Sequence, residues 1–133
     1  MTKEKDVGKV VIVEDSANYA RSLAELFKAW GLESIIFLSL PSIMKFLNEQ
    51  AKKPEEKREA VAAFVVDGNL SKLARGGADG VKVIRKIRES GVLASSLIVG
   101  NTSGADLEGA DYNLGKDGRG MDELIAMIKG EKG

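Results

Sequence analysis

An α/β domain built on a parallel sheet is the fold class this 133-residue sequence predicts. Two observations predict it. Short, continuously apolar, β-branched runs, the kind that fill a sheet covered on both faces, alternate with stretches of helical periodicity. Acidic residues end two of those runs, Glu14-Asp15 after KVVIV and Asp67 after VAAFVV, and Lys116 closes a third segment, DYNLGK. In such sheets right-handed crossovers gather the strand C-termini at one edge, where ligands bind near the reversal of strand order.

Lys9 to Val13 reads as the first buried strand, ended by Glu14-Asp15-Ser16. Asp15 or Ser16 can cap the helix that follows. In that helix Ala20, Leu23, Phe27 and Trp30 share one face, and Gly31 is a fitting stop. Leu32 to Leu38 forms the second strand. SLPSIMKFLNEQ forms the second helix, with Pro41 near its start and Ile43, Met44 and Leu47 as its apolar face. AKKPEEKREA is polar and broken by Pro54, so it reads as a helix end and a solvated connection. Its charges alternate in sign and form no patch. Val61 to Val66 is the third strand. GNLSKLARGGAD is too glycine-rich for a regular element. Gly80 to Ser90 is a helix with Val81, Ile84 and Ile87 inward, Leu97 to Gly100 the fourth strand and Tyr112 to Leu114 a short fifth. Met121 to Lys129 is the last helix, with Leu124, Ile125 and Ile128 inward. The chain reads as a single domain over 1–133.

Composition excludes several chemistries. There is no cysteine and no histidine, which removes thiol catalysis, disulfides, Ser-His-Asp chemistry and nitrogen- or sulfur-ligated metals. Any metal is then hard and oxygen-bound, as magnesium is. Twenty basic residues balance 20 acidic ones, giving a net charge of +0, so neither nucleic acid nor anionic membrane is an expected partner. The charged N-terminus MTKEKDVG lacks an apolar signal core, and the reading is of a cytoplasmic protein.

Glu14, Asp15, Asp67, Thr102 and Lys116 all follow strand ends. Taken singly, an acidic pair after a strand is a helix cap, a lone Asp a turn residue and a loop lysine a solvated charge. Their shared placement on one edge points further. Three crowded carboxylates repel until a cation neutralises them, and Mg2+ does so through oxygen ligands. The backbone carbonyl of Asn69, two residues past Asp67, can supply another ligand. Asp67 would be a nucleophile for a phosphoryl group, Lys116 a point charge on one phosphoryl oxygen, and a hydroxyl at the fourth strand's end the partner of another.

These residues resemble the response-regulator receiver domains (CheY-like family) of two-component signalling. The resemblance runs from Lys9 to Lys129: KVVIVEDS is similar to the first strand and acidic pair, VAAFVVDGNL to the phosphoacceptor strand, DGVKVIRKIRES to the third helix and GADYNLGK to the fifth strand and lysine. It implies a doubly wound, five-stranded parallel sheet of flavodoxin-like type. It also implies that Asp67 takes phosphate from a sensor histidine kinase or histidine phosphotransfer protein, and that Glu14 and Asp15 organise Mg2+. A downstream protein partner, unidentified by the sequence, would read the change. The domain would catalyse nothing beyond its own phosphoryl transfer and autodephosphorylation.

The sequence departs from the family pattern at several points. Ser71 stands where the family has proline, and Asp79-Gly80 comes late. Asp117 replaces the proline after the lysine, and Asn113 replaces the switch aromatic, with Tyr112 one position earlier. The hydroxyl position falls on Asn101 or Thr102, with Ser103 adjacent; Thr102 is preferred because its hydroxyl completes a phosphate site. Only SGADLEGA separates Thr102 from Asp111. Eight residues span about 12 Å as helix, and two glycines oppose one, so the family's fourth helix is expected to be missing or reduced to a turn. These departures support a competing reading, a phosphorylation-independent pseudo-receiver acting as an interaction module. An aspartate-nucleophile phosphatase is disfavoured, because Asp67-Gly68-Asn69 lacks the second acid of a D-x-D motif.

Overall fold

Five parallel strands in the order β2-β1-β3-β4-β5 form the centre of the molecule, as seen in a computed structural model. It describes residues 8–67, 78–90, 96–101, 107–114 and 121–128. The strands are β1 (Lys9–Val13), β2 (Ser34–Phe37), β3 (Val61–Val66), β4 (Leu97–Asn101) and β5 (Tyr112–Leu114). The helices are α1 (Ala17–Ala29), α2 (Leu40–Lys52), α3 (Ala78–Ser90) and α4 (Met121–Ile128), and a short 3-10 turn lies at Glu55–Lys57. Strand order reverses between β1 and β3, as a doubly wound sheet requires.

Alternation along the strands divides the core into two layers. Val10, Ile12, Ala63, Val65 and Val99 face α1 and α4, where they meet Ala20, Leu23, Phe27, Leu124 and Ile125. Val11, Val13, Phe64, Val66 and Ile98 face the other way, against Ile43 and Leu47 of α2 and Val83, Ile84 and Ile87 of α3. The strands therefore read as continuous apolar runs because both of their faces are covered.

One expectation about this core is corrected. The helical spacing puts Trp30 on the buried stripe of α1, but it is 45% exposed. It is the C-cap residue, with φ −100° and ψ 12°, so the helical spacing that would carry it inward ends at Ala29. The buried stripe is Ala20, Leu23 and Phe27, as the spacing predicts, and Tyr19 packs partly against the same layer. The second strand is also shorter than the apolar run from Leu32 to Leu38.

No helix separates β4 from β5 among the described residues, as the short spacer predicts. Leu107 lies there instead, 2% exposed and packed into the α2–α3 layer. Its backbone is held by one side chain: Asn113 Oδ1 accepts from the Leu107 N–H at 2.8 Å, and Asn113 Nδ2 donates to the Leu107 carbonyl at 3.5 Å. Gly100 makes this approach possible, because a Cβ there would collide with Asn113 Oδ1 and stand 3.2 Å from Leu107 Cγ.

Asp111 fastens the other end of the crossover. Its N–H donates to the Ile98 carbonyl at 2.7 Å, and its Oδ2 accepts from the Ile98 N–H at 2.8 Å. Its Oδ1 meets Arg88 of α3 at 3.0 Å. The Arg88 pair is exposed and contributes at most about 1 kcal/mol. The bond to Ile98 is worth more, since Asp111→Ala leaves a backbone donor without its partner at a strand whose side chain is fully buried. That substitution is expected to cost about 1–3 kcal/mol in urea denaturation, clearly more than Arg88→Ala.

Candidate functional site

Strand alternation and register together build the acidic edge. Val13 is level with Val66 and Val66 with Gly100, while Asn101 is level with Leu114. The ladder continues past the strand ends, with the Glu14 N–H donating to Phe37 and the Asp67 N–H to Val13, at 3.0 and 2.8 Å. One further step of the same register brings Glu14, Asp67 and Asn101 side by side, at the roughly 4.8 Å strand spacing. Residues two apart share a face. Glu14, Asp67 and Asn101 therefore follow Ile12, Val65 and Val99 onto the α1 side of the sheet.

Glu14 and Asp67 are buried, 2% and 7% exposed, whereas Asp15 is exposed. One carboxylate oxygen from each of Glu14, Asp15 and Asp67 lies within 4.8 Å of the other two. Glu14 is oriented by the start of α1, its Oε2 accepting from the Ser16 N–H at 3.0 Å. Ser16 is the N-cap itself, its Oγ accepting from the Tyr19 N–H at 3.2 Å. A cluster made only of carboxylate oxygens, partly withdrawn from water, suits a hard divalent cation such as Mg2+ and offers nothing to a softer metal.

Of the residues expected at the site from sequence, the fold brings Glu14, Asp15 and Asp67 together. Asn69, Thr102 and Lys116 lie outside the described residues. Asn101, the alternative to Thr102, is the last residue of β4 and 1% exposed. Its amide is held at both ends: Oδ1 accepts from the Tyr19 hydroxyl at 2.8 Å, and Nδ2 donates to the Leu114 carbonyl at 3.3 Å. Asn113, at the position of the family's aromatic, is engaged with Leu107, and Tyr112 points outward, 46% exposed.

Tyr19 was not anticipated at this edge. A signal for it exists in the spacing: Tyr19, Leu23 and Phe27 recur every fourth residue, and Tyr19 lies in the first helical turn after the acidic pair. Its place on the inward stripe carries its hydroxyl toward the strand ends.

Neither protein-family models nor curated proteins yielded a match to the sequence. Solved structures did. A response regulator receiver domain (CheY-like) from Methylobacillus flagellatus superposes with a TM-score of 0.69 at 18% identity, over 92% of this chain and 99% of its own. A receiver domain protein (CheY-like) from Methanospirillum hungatei JF-1 gives 0.68 at 18% identity, over 94% of both chains. The response regulator protein TrrA from Thermotoga maritima, solved in complex with Mg2+-BeF, gives 0.69 at 16% identity, over 91% of this chain and 98% of its own. The fold is that of CheY-like receiver domains.

Proposed function

We propose that this chain is a phosphoacceptor receiver of a two-component or phosphorelay system, with Asp67 as acceptor. One observation carries the reading: Glu14, Asp15 and Asp67 converge within 4.8 Å at the C-terminal edge of a receiver-type sheet. An Asp67 carboxylate oxygen forms a bond to phosphorus as the phosphorus–nitrogen bond of a donor phosphohistidine breaks. The imidazole leaves and takes its proton from solvent. Glu14, Asp15, Asp67 and the Asn69 carbonyl would hold Mg2+, which when bound supplies positive charge to the phosphoryl oxygens. Lys116 adds a fixed charge. A group at the end of β4, the Asn101 amide or the Thr102 hydroxyl, donates to another phosphoryl oxygen. The donor histidine belongs to a sensor kinase or phosphotransfer protein, consistent with a chain that has no histidine. A downstream protein reads the added charge, and the setting is cytoplasmic.

A second reading has its own support. Asn113 is bound to the Leu107 backbone, which favours an interaction module whose crossover does not respond to phosphate. Titration calorimetry with beryllofluoride and Mg2+ separates the two. The wild type is expected to bind saturably only when both are present, and Asp67→Asn not at all. Absence of saturable binding to the wild type would remove the phosphoacceptor reading and leave the interaction module.

A further inference from the structure

We infer that Asn101 is a positioning residue for the acceptor site: its amide ties the end of β5 to the start of α1 and does not itself meet the phosphoryl group. The inference rests on the phosphoacceptor reading and decides against the Asn101 amide as the donor at the end of β4. Asn101 is the last residue of β4, buried, and level with Leu114, the last residue of β5. Its neighbours fix which way the amide faces. A backbone carbonyl only accepts, so the end of the amide 3.3 Å from the Leu114 carbonyl is the NH2. The oxygen is left for the Tyr19 hydroxyl, which donates to it at 2.8 Å. In the sheet β4 lies between β3 and β5, so an NH2 turned to Leu114 is turned away from Asp67, which follows β3. The oxygen, turned to α1, has no proton to offer an anion.

The amide instead joins the two flanks of the site. β5 has three residues, stands at the edge of the sheet and pairs with β4. Asp111 secures its start through Ile98, and Asn101 secures its end. On the other flank the Tyr19 N–H donates to Ser16 Oγ in the first turn of α1, and the Ser16 N–H donates to Glu14. A run of bonded side chains thus leads from a carboxylate of the acidic cluster to the strand that precedes Lys116, two residues past Leu114 in sequence. In the proposed reaction both flanks act on one phosphoryl group. A misplacement of about 1 Å between such groups can cost on the order of 100-fold. A short edge strand has few contacts of its own to hold that separation, and the Asn101 tie supplies one.

The test uses Asn101→Ala and Tyr19→Phe in the full chain. Amide hydrogen exchange without ligand is expected to be at least about three-fold faster along β5 in Asn101→Ala, the lower range of one lost hydrogen bond. Beryllofluoride affinity at saturating Mg2+ is expected to fall roughly three- to ten-fold in Asn101→Ala. It is expected to fall in the same direction in Tyr19→Phe, a milder change that keeps the ring and cuts only the α1 end. In a Lys116→Ala background Asn101→Ala is expected to change that affinity less than about two-fold, because a positioning residue acts through the group it positions. Mg2+ affinity without fluoride is expected to stay unchanged in both variants. Equal losses with and without Lys116 would show Asn101 touching the phosphoryl analogue itself and overturn the inference. Unchanged β5 exchange in Asn101→Ala, unchanged beryllofluoride affinity in either variant, or a parallel fall in Mg2+ affinity overturns it as well, with Asp67 still the acceptor. Failure of the wild type to bind beryllofluoride overturns the phosphoacceptor reading and the positioning role together, and the exchange measurement, which needs no ligand, then decides separately whether the tie exists.

Discussion

Leu107→Ala is expected to destabilise the domain by about 2–5 kcal/mol, the range for removing a leucine from a packed core. A leucine on an ordinary surface connection would change stability by no more than about 0.5 kcal/mol. The difference in magnitude decides whether the β4–β5 crossover is a loop or a piece of the core. Leu107 is 2% exposed and lies in the same cluster as Ile84, Ile87 and Ile98. It covers part of the sheet face from a segment with no helix among its described residues. Against a domain stability of about 5–15 kcal/mol, the loss would be visible as a large fall in the urea midpoint at unchanged slope. Glu108→Ala, at the exposed neighbouring position, serves as the control and is expected to lie within about 0.5 kcal/mol of wild type. A Leu107→Ala loss below about 1 kcal/mol would mean that the face is covered by other groups.

The strands were readable because burial on both faces leaves an unmixed signature. VVIV and AAFVV have no polar residue that a half-exposed strand would carry. The acidic edge was readable for a related reason: Glu14 and Asp67 each interrupt such a run at its end, and sheet topology alone carries those ends together. Leu107 was not readable. A single leucine between glycines has no period, and its burial depends on Gly100 and Asn113, which are distant in spacing and joined only by the register of β4 with β5. The Tyr19–Asn101 bond was hidden for the same reason, since neither residue's local sequence names the other. Trp30 shows the opposite failure. Periodicity placed it inward, and the end of the helix turned it out.

The crossover also bears on how a phosphoryl signal could leave the site. Asn113 grips the Leu107 backbone through both ends of its amide, and Asp111 pairs with Ile98 through backbone and side chain. The described stretch 107–114, held this way, has few alternative arrangements within reach. The α1 side of the edge carries its own chain of bonds, among them the Glu14 contact to Ser16, the cap to Tyr19 and the Tyr19 bond to Asn101. These bonds link the acidic cluster directly to the start of α1, so under the proposed function that helix is where a partner responding to Asp67 would be sought first.

The second large effect expected is a reversal of stability order with magnesium. Asp15→Asn should make the metal-free protein more stable and the metal-loaded protein less stable than wild type. Without a cation, Asp15 faces two other carboxylates whose oxygens lie within 4.8 Å. A unit-charge pair at this distance costs roughly 1–3 kcal/mol between the dielectric of water and that of a protein surface. Asp15 is exposed, which places its repulsion at the low end, so neutralising it should gain about 0.5–1 kcal/mol. With Mg2+ at a hundred times its dissociation constant, the wild type gains about 2.7 kcal/mol by mass action. If Asp15 is a ligand as proposed, the variant lacks one charged ligand of three and should recover less than about 1 kcal/mol at the same concentration. Asparagine matches aspartate in size, so the comparison isolates charge. Urea unfolding of both proteins, with and without MgCl2 and at matched ionic strength, measures all four stabilities. Equal magnesium-dependent gains in the two proteins would exclude Asp15 as a ligand. A metal-free variant less stable than wild type would show that the cluster is held together by its other contacts rather than opposed by its own charge.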